Sequence, residues 1–361
     1  MTARLRGRRR LPEQTLLRHL LLAAVVGLVL YFVSVMLDPF NDLRLATGAY
    51  FFTALAGLTV LTGLNGQISL GHGALMAVGA YTMAILVGRD GWALVPAMAA
   101  AAAVTALAGA LVGSVAARLR GPYLAGATLA FAVGLPALAD RYPSAFGGEN
   151  GLTVTPATPP SALGADFPLE RWQAWITCAA ALVALVLLAN LMRGRVGRAF
   201  RAVRDDEVAA QLAGVNVART QVLAFVLSAA CAGLAGAGLV VVTQLAAPGA
   251  FDLALSLSLL SGIVLGGLGS LAGAAWGAVA LVMLPQWSDD IAHHFSLSND
   301  VQSNLPLALY GIVLMGVIVA APEGIQGVLR RAVRRLGSRA SRRPGTGAAA
   351  GQQAVREREG T

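Results

Sequence analysis

The chain has 361 residues, of which 57% are hydrophobic and 12% charged, with a formal net charge of +9. Globular domains run at roughly 45–50% apolar and ~25% charged, so an ordinary soluble domain is excluded; repeated apolar runs of about 17 residues or more read as membrane helices. A membrane barrel would need alternating segments of about 10 residues, and none are present, so the fold class expected is an all-α polytopic membrane protein.

A basic segment, residues 1–17, precedes the first apolar run at 18–37. The run is long and "VMLDPFND" offers no small-residue cleavage site, so it reads as a retained span rather than a leader. Further spans are expected at 45–62, 71–87, 92–117, 121–139, 172–192 and 218–243. The next run, 253–284, would form a single helix of about 48 Å, far beyond the roughly 30 Å hydrocarbon core. Gly266, Gly267 and Gly269 at its centre make an unbroken helix costly, so two short helices are expected, near 253–266 and 270–284. A last span falls at 305–321, and a basic tail, 330–361, reads as disordered. Ten membrane segments follow, some of them re-entrant rather than spanning, in a transmembrane domain of residues 18–329.

Arginine distribution orients them. With the N-terminus inside and the 253–284 run folded as a hairpin, 23 of the 27 arginines fall on the inside. A single crossing at 253–284 would put the arginine-rich tail outside, against the positive-inside rule. Both termini are therefore expected in the cytoplasm. The same distribution, with arginines beside spans, argues for anionic lipid and against nucleic acid.

Two Gly-rich stretches resemble each other weakly, "GLNGQISLGHGALMAVGAY" at 63–81 and "GGLGSLAGAAWGAVAL" at 266–281. Paired interruptions in two halves of a transporter often mark a substrate path. Gly66, Gln67, Ser69, His72, Gly266, Gly267 and Gly269 are thus path candidates; close helix packing through small residues stays open as the alternative. His72 reads as the only ionisable side chain inside a span or at its edge, either functional or bonded to a backbone carbonyl. "GLGSLA" matches a dinucleotide fingerprint, with Asp289 about 20 residues on, but the match needs a strand and a βαβ unit. Here it lies in an apolar helical run, with Asp289 expected in an external loop.

The outer loop 140–171 is the longest external segment, with Pro, Gly and Thr but no long helical pattern. It contains "FGGENGL", whose Gly147, Gly148, Glu149 and Asn150 are candidates for docking an external partner. Cys178 and Cys231 lie in apolar runs and read as small buried residues; no metal site is expected. All the basic residues are arginine. A P-loop needs a lysine on the phosphates, so no ATPase site is expected in this chain.

The inside segment 193–217 contains "GRAFRAVRDDEVAAQLAGVN". Phe200 and Val203 share one face; Val208, Leu212 and Val215 share another. Asp205 or Asp206 can cap a second short helix that ends near Gly214, and Arg201 can pair with Asp205 four residues on. The pattern reads as a short amphipathic element too charged to span, suited to a groove.

"RAVRDDEVAAQLAGVN" resembles the cytoplasmic EAA-type loop of ABC importer permeases, and more closely that of the LivM-type permeases of bacterial branched-chain amino acid importers. "GLNGQISLGHGALMAVGAYT", "LRGPYLAGATLAF", "FGGENGL" and "GIVLGGLGSLAGAAWGA" agree with that family, in family order, from about residue 57 to 330. The resemblance implies a second permease subunit, two cytoplasmic ATPase subunits that hold ATP-Mg, and an extracytoplasmic binding protein. It implies a coupling role for Arg198, Arg201, Arg204, Asp205, Asp206, Glu207, Ala209, Ala210 and Gly214. No cofactor on the chain itself is implied. Two departures stand out. Val208 separates Glu207 from the two alanines, and Val133 stands where many relatives carry a Glu. The second leaves the substrate open among hydrophobic amino acids, urea, short amides and aromatic acids. A sodium-coupled carrier working alone is the alternative from a different class.

Overall fold

A computed structural model describes residues 12–119, 122–155, 158–164, 166–294, 311–312, 315–316, 319 and 324–341. The elements are α1 (Pro12–Met36), α2 (Pro39–Leu58), α3 (His72–Gly88), α4 (Leu94–Ala116), α5 (Pro122–Arg141), α6 (Pro143–Phe146), α7 (Leu169–Arg193), α8 (Arg195–Asp205), α9 (Glu207–Leu212), α10 (Val217–Thr243), α11 (Leu253–Gly266), α12 (Leu271–His294) and α13 (Gly324–Ser341). Seven helical stretches among the described residues are long and apolar enough to cross a membrane, and His72–Gly88 and Leu271–Trp287 are shorter apolar helices. The molecule is an all-α polytopic membrane protein, with one two-residue antiparallel pairing, β1 (Leu152–Thr153) on β2 (Leu245–Ala246).

Burial separates inner from outer helices. The apolar windows of α10 and of α2 with its extension are 72% and 67% buried, against 17–28% for α1, α4, α5 and α7. α10 is the central post, packed on α4, α3 and α2. Its sequence explains how. Small residues let the backbones meet, as they do in membrane bundles where Leu gains nothing over lipid: Gly236 lies on the carbonyl of Met76 and Gly79 on Gly233, so a side chain at either would strike backbone.

Three expectations are corrected. The span expected at 45–62 starts earlier and ends later: α2 begins at Pro39 and after Leu58 passes into a π-helical turn, Thr59–Leu64, where the ladder widens by one residue. The 253–284 run does break in two, but α12 continues to His294, so Asp289 lies on a helix and not in a loop. The chain from 330 to 341 is helical rather than disordered, so the boundary expected at 330 falls inside α13. The expected span at 305–321 lies largely outside the described residues, as do 342–361. The loop 140–171 carries no long helix among its described residues; it holds α6, two 3₁₀ turns and β1.

Candidate functional site

The charged pair α8–α9 is built by its own caps. Asp206 breaks the helix in extended backbone, and its carboxylate accepts from the N–H groups of Val208 (2.9 Å) and Ala209 (3.0 Å), satisfying two orphan donors. At the other end Gly214 takes φ +84°. The Val215 N–H then reaches the carbonyl of Ala210 and the Gly214 N–H that of Gln211, both at 2.9 Å, the paired closure of a Schellman motif. Glu207 accepts from the Gln221 amide at 2.9 Å, tying α9 to α10.

Rotation of the two helices decides what each residue faces. Phe200 and Val203 are buried, as expected. Ala210 is also buried, clustered with Val203 and Val217, so it is part of the hinge between helices and not of an outer surface. Val208 and Leu212, four apart, are instead 66% and 86% exposed. Ala209 and Arg198 are exposed as well. The expected Arg201–Asp205 pair does not form. Arg201 donates to the carbonyl of Met192 (3.2 Å), while Arg204 pairs with Asp205 (2.8 Å) and sends Nη1 to the carbonyl of Gly63 (2.8 Å). The neighbour in sequence wins because it leaves Arg204 forked between a carboxylate and a carbonyl, a geometry that guanidinium suits.

Gly63 lies at the end of the π-turn, and through it the two Gly-rich breaks meet. Its Cα side abuts the backbone of Gly269, and Gly66, at φ +77°, lies against the Arg204 side chain. Gly267, at φ +117° between α11 and α12, touches Gly324 at the start of α13. Gly266 packs on the carbonyl of Gly273, closing the α11–α12 hairpin. The weak resemblance of 63–81 to 266–281 thus corresponds to one junction.

From that junction the chain turns back inside the protein. His72 donates from Nε2 to the carbonyl of Ala54 (3.2 Å), ten residues before Leu64. At ~1.5 Å rise per residue, α3 therefore begins about 15 Å inward from the tip. Its first turn is buried, and hydroxyls meet the N–H groups of Gly73 and of the two residues before His72. Gly73 donates to Ser256 of α11 (3.0 Å), and just before the helix Leu70 donates to Thr128 of α5 (3.0 Å) and Gly71 to Ser69 (3.3 Å). Gln67 accepts from Asn65 at 2.8 Å. Asn65 Oδ1 and His72 Nδ1 stay buried without a partner. An interrupted helix whose N-terminus sits in the interior among α2, α5 and α11 is the arrangement that transporters use at a substrate path. Ser256 had no signal in the sequence; Thr128 sat unnoticed in "LAGATLAF".

The far end of α3 carries the other candidates. Gly88 lies beside Thr153 of β1, and Tyr81 stacks edge-on against Phe146 at 5.1 Å. Gly147 and Gly148 turn the loop with φ +82° and +62°, leaving Glu149 and Asn150 exposed while Gly148 is buried. About 25 Å of helix therefore separates the start of α3 from this loop.

His72 is not the only ionisable group in the bundle. Asp42 of α2 is fully buried, accepts from Ser34 (2.7 Å) and pairs with Arg171 of α7 (3.3 Å). Arg171 also donates to the carbonyl of Leu37, so one guanidinium joins α7 to the α1–α2 turn.

These features define a multi-pass membrane transport protein with interrupted helices and a charged element docked beneath them. Residues 41–322 match the family described as branched-chain amino acid transport system / permease component. The chain is 32% identical over 310 residues to the high-affinity branched-chain amino acid transport system permease protein LivM of Salmonella typhimurium, covering 79% of this chain and 69% of that one. It is 30% identical to LivH of Escherichia coli K12, covering 81% and 97%. It is also 30% identical to the autoinducer 2 import system permease protein LsrC of an Enterobacter species, covering 89% and 91%. No solved structure matches. The chain belongs to the branched-chain amino acid transport permease family, and it is a multi-pass protein of the plasma membrane.

Proposed function

We propose that this chain is the permease subunit of an ATP-driven importer, carrying branched-chain or other hydrophobic amino acids from an extracytoplasmic binding protein into the cytoplasm. A second permease of the same family completes the path. The α8–α9 element sits in a cleft of an ATPase, and the two ATPase subunits of the importer hold the ATP-Mg; this chain has no lysine with which to build a P-loop. Both chain termini lie in the cytoplasm, and the binding protein seats on Glu149 and Asn150.

One observation carries the reading. α8–α9 is exposed along Val208 and Leu212 and bonded on its inner side to Gly63, where both breaks meet. Force applied to the outer face has a direct route to the start of α3. A related small solute is the second reading: Val133 lies exposed on α5, at the position where the family resemblance leads one to expect a Glu. The relative named for autoinducer 2 import supports the same breadth.

The test is reconstitution in liposomes with the partner permease, ATPases and binding protein. Uptake of leucine, isoleucine or valine that depends on ATP and on every subunit is expected. Accumulation by this chain alone under a sodium gradient would overturn the importer reading.

A further inference from the structure

α13 has no place in the path or in the coupling element, yet its sequence is strongly two-sided. At 100° per residue the register sets Ile325, Val328, Leu329 and Ala332 on one half of the helix. Arg330 and Arg331 fall on the other half. The protein does not cover the apolar half near its start: Val328 and Leu329 are 43% and 40% exposed. In an isolated soluble protein such a face would be a liability. At a bilayer surface it is the half that enters the acyl boundary, while arginines meet headgroups.

Position agrees with that reading. Gly324 lies on Gly267, Gly269 on Gly63, and Gly63 on Arg204. The start of α13 is therefore at the same end of the bundle as the arginine-rich segment 193–217, the end that the positive-inside rule assigns to the cytoplasm. A cavity of about 300 Å³ opens between α13 and the α11–α12 break. Its lining is mixed: Val264 and Leu268 are apolar, and Ser270, Gln326 and Arg330 supply polar groups.

We propose that α13 is an interfacial helix that binds anionic phospholipid of the inner leaflet, and that its contact at Gly267 ties the α11–α12 break to the charge of the surrounding membrane. Anionic lipid is chosen over a protein partner because exposed apolar residues, Val328 and Leu329, lie beside exposed arginines, Arg330 and Arg331, on one short helix of a membrane protein. Phospholipid supplies both complements in one molecule, and each arginine near an anionic surface is favourable.

The test uses the full chain with Val328→Cys carrying an environment-sensitive fluorophore; the two native cysteines are buried. The protein is placed in nanodiscs of phosphatidylcholine alone or mixed with phosphatidylglycerol. A blue-shifted emission, shielded from a soluble quencher, is expected with phosphatidylglycerol. The shift should disappear when salt is raised to about 1 M, where the screening length falls to roughly 3 Å. Replacing Arg330 and Arg331 by Gln should abolish it too, and the comparison of lipids stands even if that variant is not produced. Equal emission in both lipids would overturn the proposal. So would shielding that appears only on adding the ATPase subunits, which would make α13 a protein-docking helix. No transport is measured, so failure here leaves the permease reading untouched.

Discussion

Nη1 of Arg204 donates a 2.8 Å hydrogen bond to the main-chain carbonyl of Gly63, joining residues 141 positions apart. It is the direct polar link between α8 and the π-turn that ends the α2 extension. A charge-assisted bond of this kind contributes about 1.5–3 kcal/mol, or roughly ten- to a hundredfold in a coupled equilibrium. Arg204→Ala should leave assembly intact and lower uptake at least tenfold, while ATP hydrolysis by the complex continues. Arg204→Lys should rescue little, since an ammonium cannot hold the same fork. Parallel assays of uptake and hydrolysis check this; unchanged coupling in Arg204→Ala would remove the link from the mechanism.

The surface of α9 gives a second expectation. Leu212 is 86% exposed and Ala210 is buried, so the two positions should respond differently. Leu212→Glu should preserve the thermal stability of the permease and abolish co-purification of the ATPases. Ala210→Glu should lower stability, because it drives a carboxylate between Val203 and Val217. If Leu212→Glu still assembles and transports at the wild-type rate, α9 is a solvated connector.

Gly267 should tolerate no side chain. Its φ of +117° lies where other residues are strained, and Gly324 leaves its backbone no clearance. Gly267→Leu should reduce the yield of monodisperse protein severely. Size-exclusion profiles in detergent give the answer, and a wild-type profile would contradict the tight junction.

The buried Asp42–Arg171 pair should behave asymmetrically. Removing Arg171 leaves a buried carboxylate with only Ser34 beside it, and breaking such pairs costs about 3–5 kcal/mol. Arg171→Ala should therefore melt well below wild type, and the double variant Asp42→Ala with Arg171→Ala should recover part of the loss. Thermal unfolding of the wild type, the two single variants Asp42→Ala and Arg171→Ala, and the double variant measures the coupling.

Orientation can be read with an impermeant thiol reagent applied to intact cells. A cysteine at Ser161 should label, and one at Gln211 should not; both positions are exposed in the fold. Labelling at Gln211 would invert the topology.

Local chemistry was legible in the sequence, and relative rotation was not. Gly266, Gly267 and Gly269 announce the break because no helix carries that cluster cheaply. Asp206 announces a cap because a carboxylate before a helical run meets orphan N–H groups. That Ala210 faces inward depends on how α9 rolls against Val203 and Val217, which no spacing encodes. Arg201 and Asp205 had ideal spacing for a pair, yet a carbonyl at the end of α7 took Arg201 instead. Asp42 escaped notice because its partner lies 129 residues away, and Ser256 because a serine among leucines carries no periodic signal.

α10 is held at both ends. Glu207 and Val217 fasten its first turn to α9, and beyond its last turn Leu245 and Ala246 pair with the strand that follows the Glu149 loop. Its 27 residues span about 40 Å, with the helix buried and closely packed in between. It is a lever between the α9 end of the protein and the Glu149 loop. A lever has no preferred direction, and free-energy coupling is reciprocal. Whatever settles on the Glu149 loop must alter affinity at α9 by the same factor by which occupation of α9 alters the loop. Under the function proposed above, arrival of cargo at one face is then a signal readable at the other before any solute has moved.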